Sequence, residues 1–353
     1  MKRKRERMTC YLRLINIILI LLSFSSCRSA SPERPAETSI HPVEQETISP
    51  RKTNSTESPP PTRPKLSLLR KRTLSSEPLD SFLVDRQNQI LLIASGDSVK
   101  FFKLAEGFPY LSEKRLHLEG RRITSLGMDK HHLFLGLSDS TLLVSAKEEE
   151  RSFPVLGFYR RINSILPLDE NTLLVADCAS AKTVDLSSRR ITSEYKSFSY
   201  DICPLLLLDN DHFITGTGSG RIDVWSRTNT IKPLSSIKQH DGEVIHLERD
   251  GNTIFTFSRD GSVGVWNNNF EKVLFFIARS SPILSGALTP DGSRILVIYE
   301  DHYIALFSHK ERKILLCEEI NVKRPKSLIT LDENNFAVLS EDGTASIFTI
   351  KEE

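Results

Sequence analysis

Beginning near residue 66, short apolar runs alternate with polar turns, and no helical period of 3.6 residues stands out. One turn recurs after a run rich in Leu, Ile, Val and Phe. It reads IASGDSVKFF around Asp97, LGLSDSTLLV around Asp139 and LVADCASAKTV around Asp177. It continues as TGTGSGRIDVW around Ser219, TFSRDGSVGVW around Asp260, VIYEDHYIALF around Asp301 and VLSEDGTASIF around Asp342. Successive anchors lie 42, 38, 42, 41, 41 and 41 residues apart, and a fixed period of this length marks a repeat architecture. Asp-Gly and Ser-Gly pairs tolerate the positive φ that tight hairpins require.

Each hairpin follows another apolar strand: Ile123–Leu126, Ile162–Leu166, Ile202–Leu208, Val244–Leu247, Ile283–Ala287 and Ser327–Leu331. A more polar strand comes after it, for example Lys272–Ala278 or Lys313–Ile320. Four strands per unit, repeated seven times, predict an all-β fold: a seven-bladed β-propeller of four-stranded antiparallel blades. The last unit ends at Ile350 after its third strand. Lys65–Leu74 is therefore expected to supply the missing outer strand and close the ring, since a free strand there would leave an exposed edge.

Two units carry a further mark, Asp223-Val224-Trp225 and Gly264-Val265-Trp266, and His240-Asp241 stands before the strand at Val244. In these features residues 66–353 resemble the WD40 family. The family's Trp-Asp pair is altered to Trp225-Ser226 and Trp266-Asn267, and the other units have Phe102, Val144, Asp185, Phe307 or Phe348 near the Trp position. The Asp–His–Ser/Thr–Trp hydrogen-bond set of strong WD40 repeats is expected to be mostly absent. The resemblance implies a propeller that serves as an interaction platform.

The first residues have another character. Lys2, Arg3, Lys4, Arg5 and Arg7 form a basic head, and Leu14–Phe24 is an apolar core of 11 residues. A bilayer span needs about 20 apolar residues, so residues 1–26 read as a signal peptide. Phe24-Ser25-Ser26-Cys27 resembles a bacterial lipobox, in which the cysteine is lipidated and becomes the new N-terminus. Ordinary cleavage after Ser25 and an uncleaved anchor are the alternatives. Arg28, where an inner-membrane lipoprotein would have Asp, points to the outer membrane. Residues 28–66 hold eight prolines, eleven Ser/Thr and no aromatic residue, too little apolar surface to offset ordering entropy. We therefore divide the chain into the signal (1–26), a lipidated Cys27 with its tether (27–64) and the propeller (65–353).

Composition narrows the function. The chain has 353 residues and a net charge of +2, without the basic excess of a nucleic-acid-binding surface. Cys178, Cys203 and Cys317 read as buried thiols, with a Cys178–Cys203 bridge as the alternative. No H-E-x-x-H, G-x-S-x-G or C-x-x-C motif occurs. Gly216-Thr217-Gly218-Ser219-Gly220 lies between strands and not before a helix, so it reads as a hairpin turn and not a phosphate loop. His131-His132 reads as an exposed turn. No cofactor, metal or nucleic acid is expected.

The candidate chemistry is basic and aromatic. Arg121-Arg122 and Arg160-Arg161 precede the first strands of units two and three, and Arg279 and Lys323-Arg324 hold comparable positions in units six and seven. Tyr159, Tyr200, His240, Arg259 and Tyr299 or His302 are expected on the same face. Arg with Tyr suits protein or peptide recognition; solvated loop charge, paired with nearby aspartates, is the plainer alternative. The reading is a non-catalytic, monomeric scaffold tethered in a bacterial cell envelope. Two alternatives are an intracellular WD40 scaffold with a signal-like N-terminus and a hydrolase-type propeller with an axial site. No convergent Asp/Glu/His set aligns across the inner strands to favour the last.

Overall fold

Each 41-residue period folds into one four-stranded antiparallel sheet, because its tight turns return the chain beside itself. The computed structural model describes residues 64–351, apart from 105–109, 148–151 and 197–201. The first strand, β1 (Lys65–Thr73), belongs to the last blade. Blade 1 is β2 (Leu79–Asp85), β3 (Ile90–Ser95), β4 (Ser98–Lys103) and β5 (Tyr110–His117). Blade 2 is β6 (Ile123–Met128), β7 (His132–Leu137), β8 (Thr141–Ala146) and β9 (Ser152–Gly157). Blade 3 is β10 (Ile162–Pro167), β11 (Thr172–Asp177), β12 (Ala181–Asp185) and β13 (Arg190–Tyr195). Blade 4 is β14 (Ile202–Leu207), β15 (His212–Thr217), β16 (Arg221–Ser226) and β17 (Ser235–Lys238). Blade 5 is β18 (Val244–Asp250), β19 (Thr253–Ser258), β20 (Ser262–Asn267) and β21 (Lys272–Ile277). Blade 6 is β22 (Ile283–Leu288), β23 (Arg294–Tyr299), β24 (Tyr303–Ser308) and β25 (Lys313–Glu319). Blade 7 has β26 (Pro325–Thr330), β27 (Asn335–Ser340) and β28 (Thr344–Lys351), with β1 outermost.

The core lies between blades. Seven apolar clusters are each shared by two neighbours. Phe257 of blade 5 and Tyr299 of blade 6 belong to one of them, and a Cβ on Gly286 would come within 2.2 Å of the Phe257 ring. Blades 7 and 1 share Ile329, Ala337, Leu339 and Ile347 with Leu79, Leu91, Ile93 and Phe102. The ring of packed interfaces therefore runs through the point where chain start and chain end meet.

Two further features repeat. Every inner strand shifts register just after its first residue. Such bulges re-aim side chains; the skipped residues include Asp80, Thr124, Asn163 and Lys326. In six blades an aspartate closes the turn after the inner strand by accepting backbone N–H bonds two or three residues on: Asp85, Asp129, Asp169, Asp209, Asp291 and Asp332. Asp129 thereby holds both His131 and His132 through their N–H groups, at 2.7 and 2.6 Å.

The cysteine expectations need correction. Cys178 is a free thiol, so no Cys178–Cys203 bridge forms, and it is only half-buried. Cys317 is exposed, because it lies on the outer strand β25, which has no neighbour beyond it. The side chain of Cys203 and all of Cys27 lie outside the described residues.

β1 runs antiparallel to β28, from Lys65 opposite Lys351 to Thr73 opposite Thr344. Leu66 packs against the cluster shared by blades 6 and 7. Deleting residues 65–73 opens the β28 edge and uncovers that cluster. The expected result is a lower midpoint in thermal unfolding together with self-association in size-exclusion chromatography; an unchanged monomer would contradict the role given to β1.

Candidate partner-binding face

The loops that enter the inner strands and the turns between second and third strands share one face, here called the upper face. Backbone bonds lace them together. Ile123 N–H donates to Gly96 O at 2.9 Å, Ser138 N–H to Arg122 O at 2.8 Å and Phe158 N–H to Ser140 O at 2.8 Å. Arg259 N–H donates to Glu243 O at 2.9 Å and Glu341 N–H to Arg324 O at 3.0 Å. The face is therefore a fixed frame on which side chains are displayed.

The predicted residues divide into three groups. Arg121, Arg160, Arg161 and Arg324 are exposed and make no ion pair with any described residue, and Tyr159 is fully exposed. Arg122, Arg259 and Arg279 are paired. Arg122 Nε donates to Asp80 at 2.9 Å and Arg259 Nε to Glu243 at 3.0 Å. Arg279 donates twice to Asp301 and lies 3.5 Å from the Tyr303 ring centroid. His240 is not on the surface: it is wholly buried. Tyr200 lies outside the described residues.

His240 is the centre of a hydrogen-bond chain. Trp266 Nε1–H donates to Thr256 Oγ1 at 3.0 Å. That leaves the Thr256 hydroxyl proton for His240 Nε2, 2.7 Å away, and His240 Nδ1–H for Ser262 Oγ at 2.6 Å. Ser262 in turn donates to Asp260. Blade 5 thus holds the full Trp–Thr–His–Asp set through one serine, and blade 4 keeps its Trp225–Thr215 part at 3.1 Å. Burial pushes the His240 imidazole down to about 4, against the attraction of Asp260 and Asp241. Burial also pushes the Asp260 carboxyl up, but bonds from Ser262 and the Asp241 N–H outweigh this and leave it below its ordinary value.

Gly220 explains the glycine-rich stretch. Its φ is +81°, and a Cβ there would sit 2.1 Å from the His240 carbonyl oxygen. The turn needs a residue without a side chain; it holds no anion-binding helix end.

Lys326 is the residue that the sequence reading missed. It occupies the bulge of β26, and its ammonium donates to the carbonyls of Leu79 and Asp80 on the next inner strand. Burial pushes it below its ordinary value, against Asp80 and Glu341, while the charges of Arg122 and Arg161 push the same way. Its position matches Asp80 and Asn163 in the repeat, one residue inside the strand and so outside the loops that carry the exposed arginines. Among the described residues, no group of three His, Cys, Asp or Glu side chains is placed to share a metal.

No protein-family model and no curated protein matches the chain. Solved structures do match. The β-propeller domain of Cps50 (Swd1) from Myceliophteria thermophila superposes with a TM-score of 0.68 at 14% identity, covering 80% of this chain and all of that one. At that identity the likeness establishes the fold alone: a β-propeller.

The His240 chain has a pH signature. A folded pKa below the unfolded value means that its stabilisation is complete above about pH 6.5 and is lost as the pH falls toward 4. The slope is about 1.4 kcal/mol per pH unit for one proton. Urea unfolding at pH 7 and pH 4.5 should show this loss, and His240→Asn should be less stable at pH 7 with a flatter pH dependence.

Proposed function

We propose that this chain is a non-catalytic scaffold, tethered to a membrane of the bacterial cell envelope by a lipid on Cys27, which binds a protein or peptide partner. The observation that carries the binding half is the cluster on blades 2 and 3. Tyr159 is fully exposed, its loop is fixed by the Phe158–Ser140 bond, and Arg160 and Arg161 next to it in the chain, with Arg121 on the loop entering the neighbouring blade, are unpaired. Large aromatic and guanidinium groups held out on a rigid frame are the residue types that dominate protein interfaces. The unpaired charge favours an acidic partner segment, and WD40-like propellers offer such loop faces for recognition.

The tether half rests on the sequence. The short apolar core ends at Phe24, two serines before Cys27, and a Pro/Ser/Thr-rich stretch separates Cys27 from β1. Such a spacer sets a folded domain clear of a membrane, which a freely secreted protein has less need of.

Two measurements test the halves separately. Intact mass of the protein from its native host should begin at Cys27 with added acyl chains, and Cys27→Ala should lose both the acyl mass and membrane partitioning; an unmodified chain starting at Ser26 or Met1 would end the tether reading. Charge reversal of Arg121, Arg160 and Arg161 to Glu should leave the thermal midpoint nearly unchanged, because none of the three is paired. It should abolish crosslinking to the partner in envelope preparations; undiminished crosslinking would move the binding face elsewhere.

A further inference from the structure

We propose that the loop joining β16 to β17 in blade 4 is a second membrane contact, which rests the lower face of the propeller on a lipid bilayer; this builds on the tethered reading above. The loop spans residues 227–234, eight residues where the corresponding connections at 186–189, 268–271 and 309–312 take four. It holds Ile231 at 87% and Leu234 at 56% exposure, on either side of Lys232 and Pro233.

The loop is built to keep them there. Tyr195 Oη donates to Arg227 O at 2.7 Å, and Arg227 donates to Asp169 and to Asn210 O, each at 2.9 Å. Ile231 N–H donates to Asn229 Oδ1 at 3.1 Å, and Leu234 N–H to Val224 O at 2.7 Å. Two aliphatic side chains are thus fixed in water by ordered bonds. A lone exposed aliphatic residue needs no explanation; Ile231 in the middle of the longest such loop, with Leu234 exposed at its base, calls for an apolar partner.

The direction of the chain identifies that partner. β1 begins at Lys65, opposite Lys351, at the lower end of β28. The chain therefore enters the propeller at the lower face, the face that carries the 227–234 loop. Before it in the sequence come the apolar Leu14–Phe24 segment, Cys27 and the Pro/Ser/Thr-rich stretch. Blade 4 lies across the ring from blade 7, so entry point and loop stand at opposite sides of one face. A single point of attachment leaves the orientation of the propeller free, whereas a second contact across the ring sets the lower face against the bilayer and turns Tyr159 away from it. Charge does not drive the contact, since Asp169, Glu170, Asp209 and Asp211 occupy the adjacent turns and Arg227 is already paired. The contact is apolar, so it is indifferent to salt and does not need anionic lipid.

The test uses the full chain with Ile231→Trp, and Leu234→Trp as a second probe, in phosphatidylcholine vesicles with brominated acyl chains. Trp225 and Trp266 are buried and give a constant background. The expected result is quenched, blue-shifted emission from position 231 at low and high salt, with none from Tyr159→Trp on the upper face. Vesicle flotation of the protein and of Cys27→Ser reports the tether independently. Floating protein in which positions 231 and 234 are quenched no more than position 159 overturns the loop contact and leaves the tether standing. Quenching at 231 in a Cys27→Ser protein that floats like the parent supports the contact and refutes the tether. Failure of every form to float overturns both.

Discussion

The apolar packing between neighbouring blades is the interaction on which this structure depends. A single twisted four-stranded sheet cannot bury its faces alone, and each of the seven clusters draws its members from two blades. The fit is close enough that Gly286 can have no side chain without displacing the Phe257 ring. Stability is therefore a property of neighbours, as in other repeat folds, with the difference that the cluster between blades 7 and 1 leaves no terminal repeat to cap. Loop residues such as Leu74, Leu118, Ile320 and Val322 join these clusters from the ends of the strands, and the loop positions that face solvent are left to carry other chemistry.

Much of the fold was legible because hairpin chemistry is local. The Asp-Gly and Ser-Gly turns and the alternation around them depend only on nearby residues, so a 41-residue period exposes them directly. A second local signal went unread: the aspartates from Asp85 to Asp332 recur at nearly the same period, and their carboxylates cap the turn on the opposite face by accepting backbone N–H bonds. Non-local features were harder. His240 stands out in sequence as part of the family resemblance, but only the fold shows it buried between Thr256 and Ser262 and not displayed on the face. Lys326 is noticed only once the bulge is seen, because the bulge turns a strand residue toward the neighbouring blade. The Arg residues show the same limit, since whether a guanidinium is paired depends on acids from other loops.

The two faces divide the work. The upper face is laced by backbone bonds and displays Tyr159 with unpaired guanidinium groups over blades 2 and 3. The lower face receives the chain and holds the aliphatic tip of blade 4. Between them, groups such as His240 and Trp266 are buried and do not reach solvent. A partner on top and a membrane below would then be related by a rigid body.

The course of β1 has a mechanical consequence. Its hydrogen bonds to β28 lie across the strand direction, as in any antiparallel pair. A pull on Lys65 away from the lower face, against a partner held at the upper one, acts along the strand and loads those bonds together in shear. Entry from the upper end would have let the same force peel the strand off one bond at a time. The orientation of one nine-residue strand thus makes the junction between spacer and propeller resist tension as a unit.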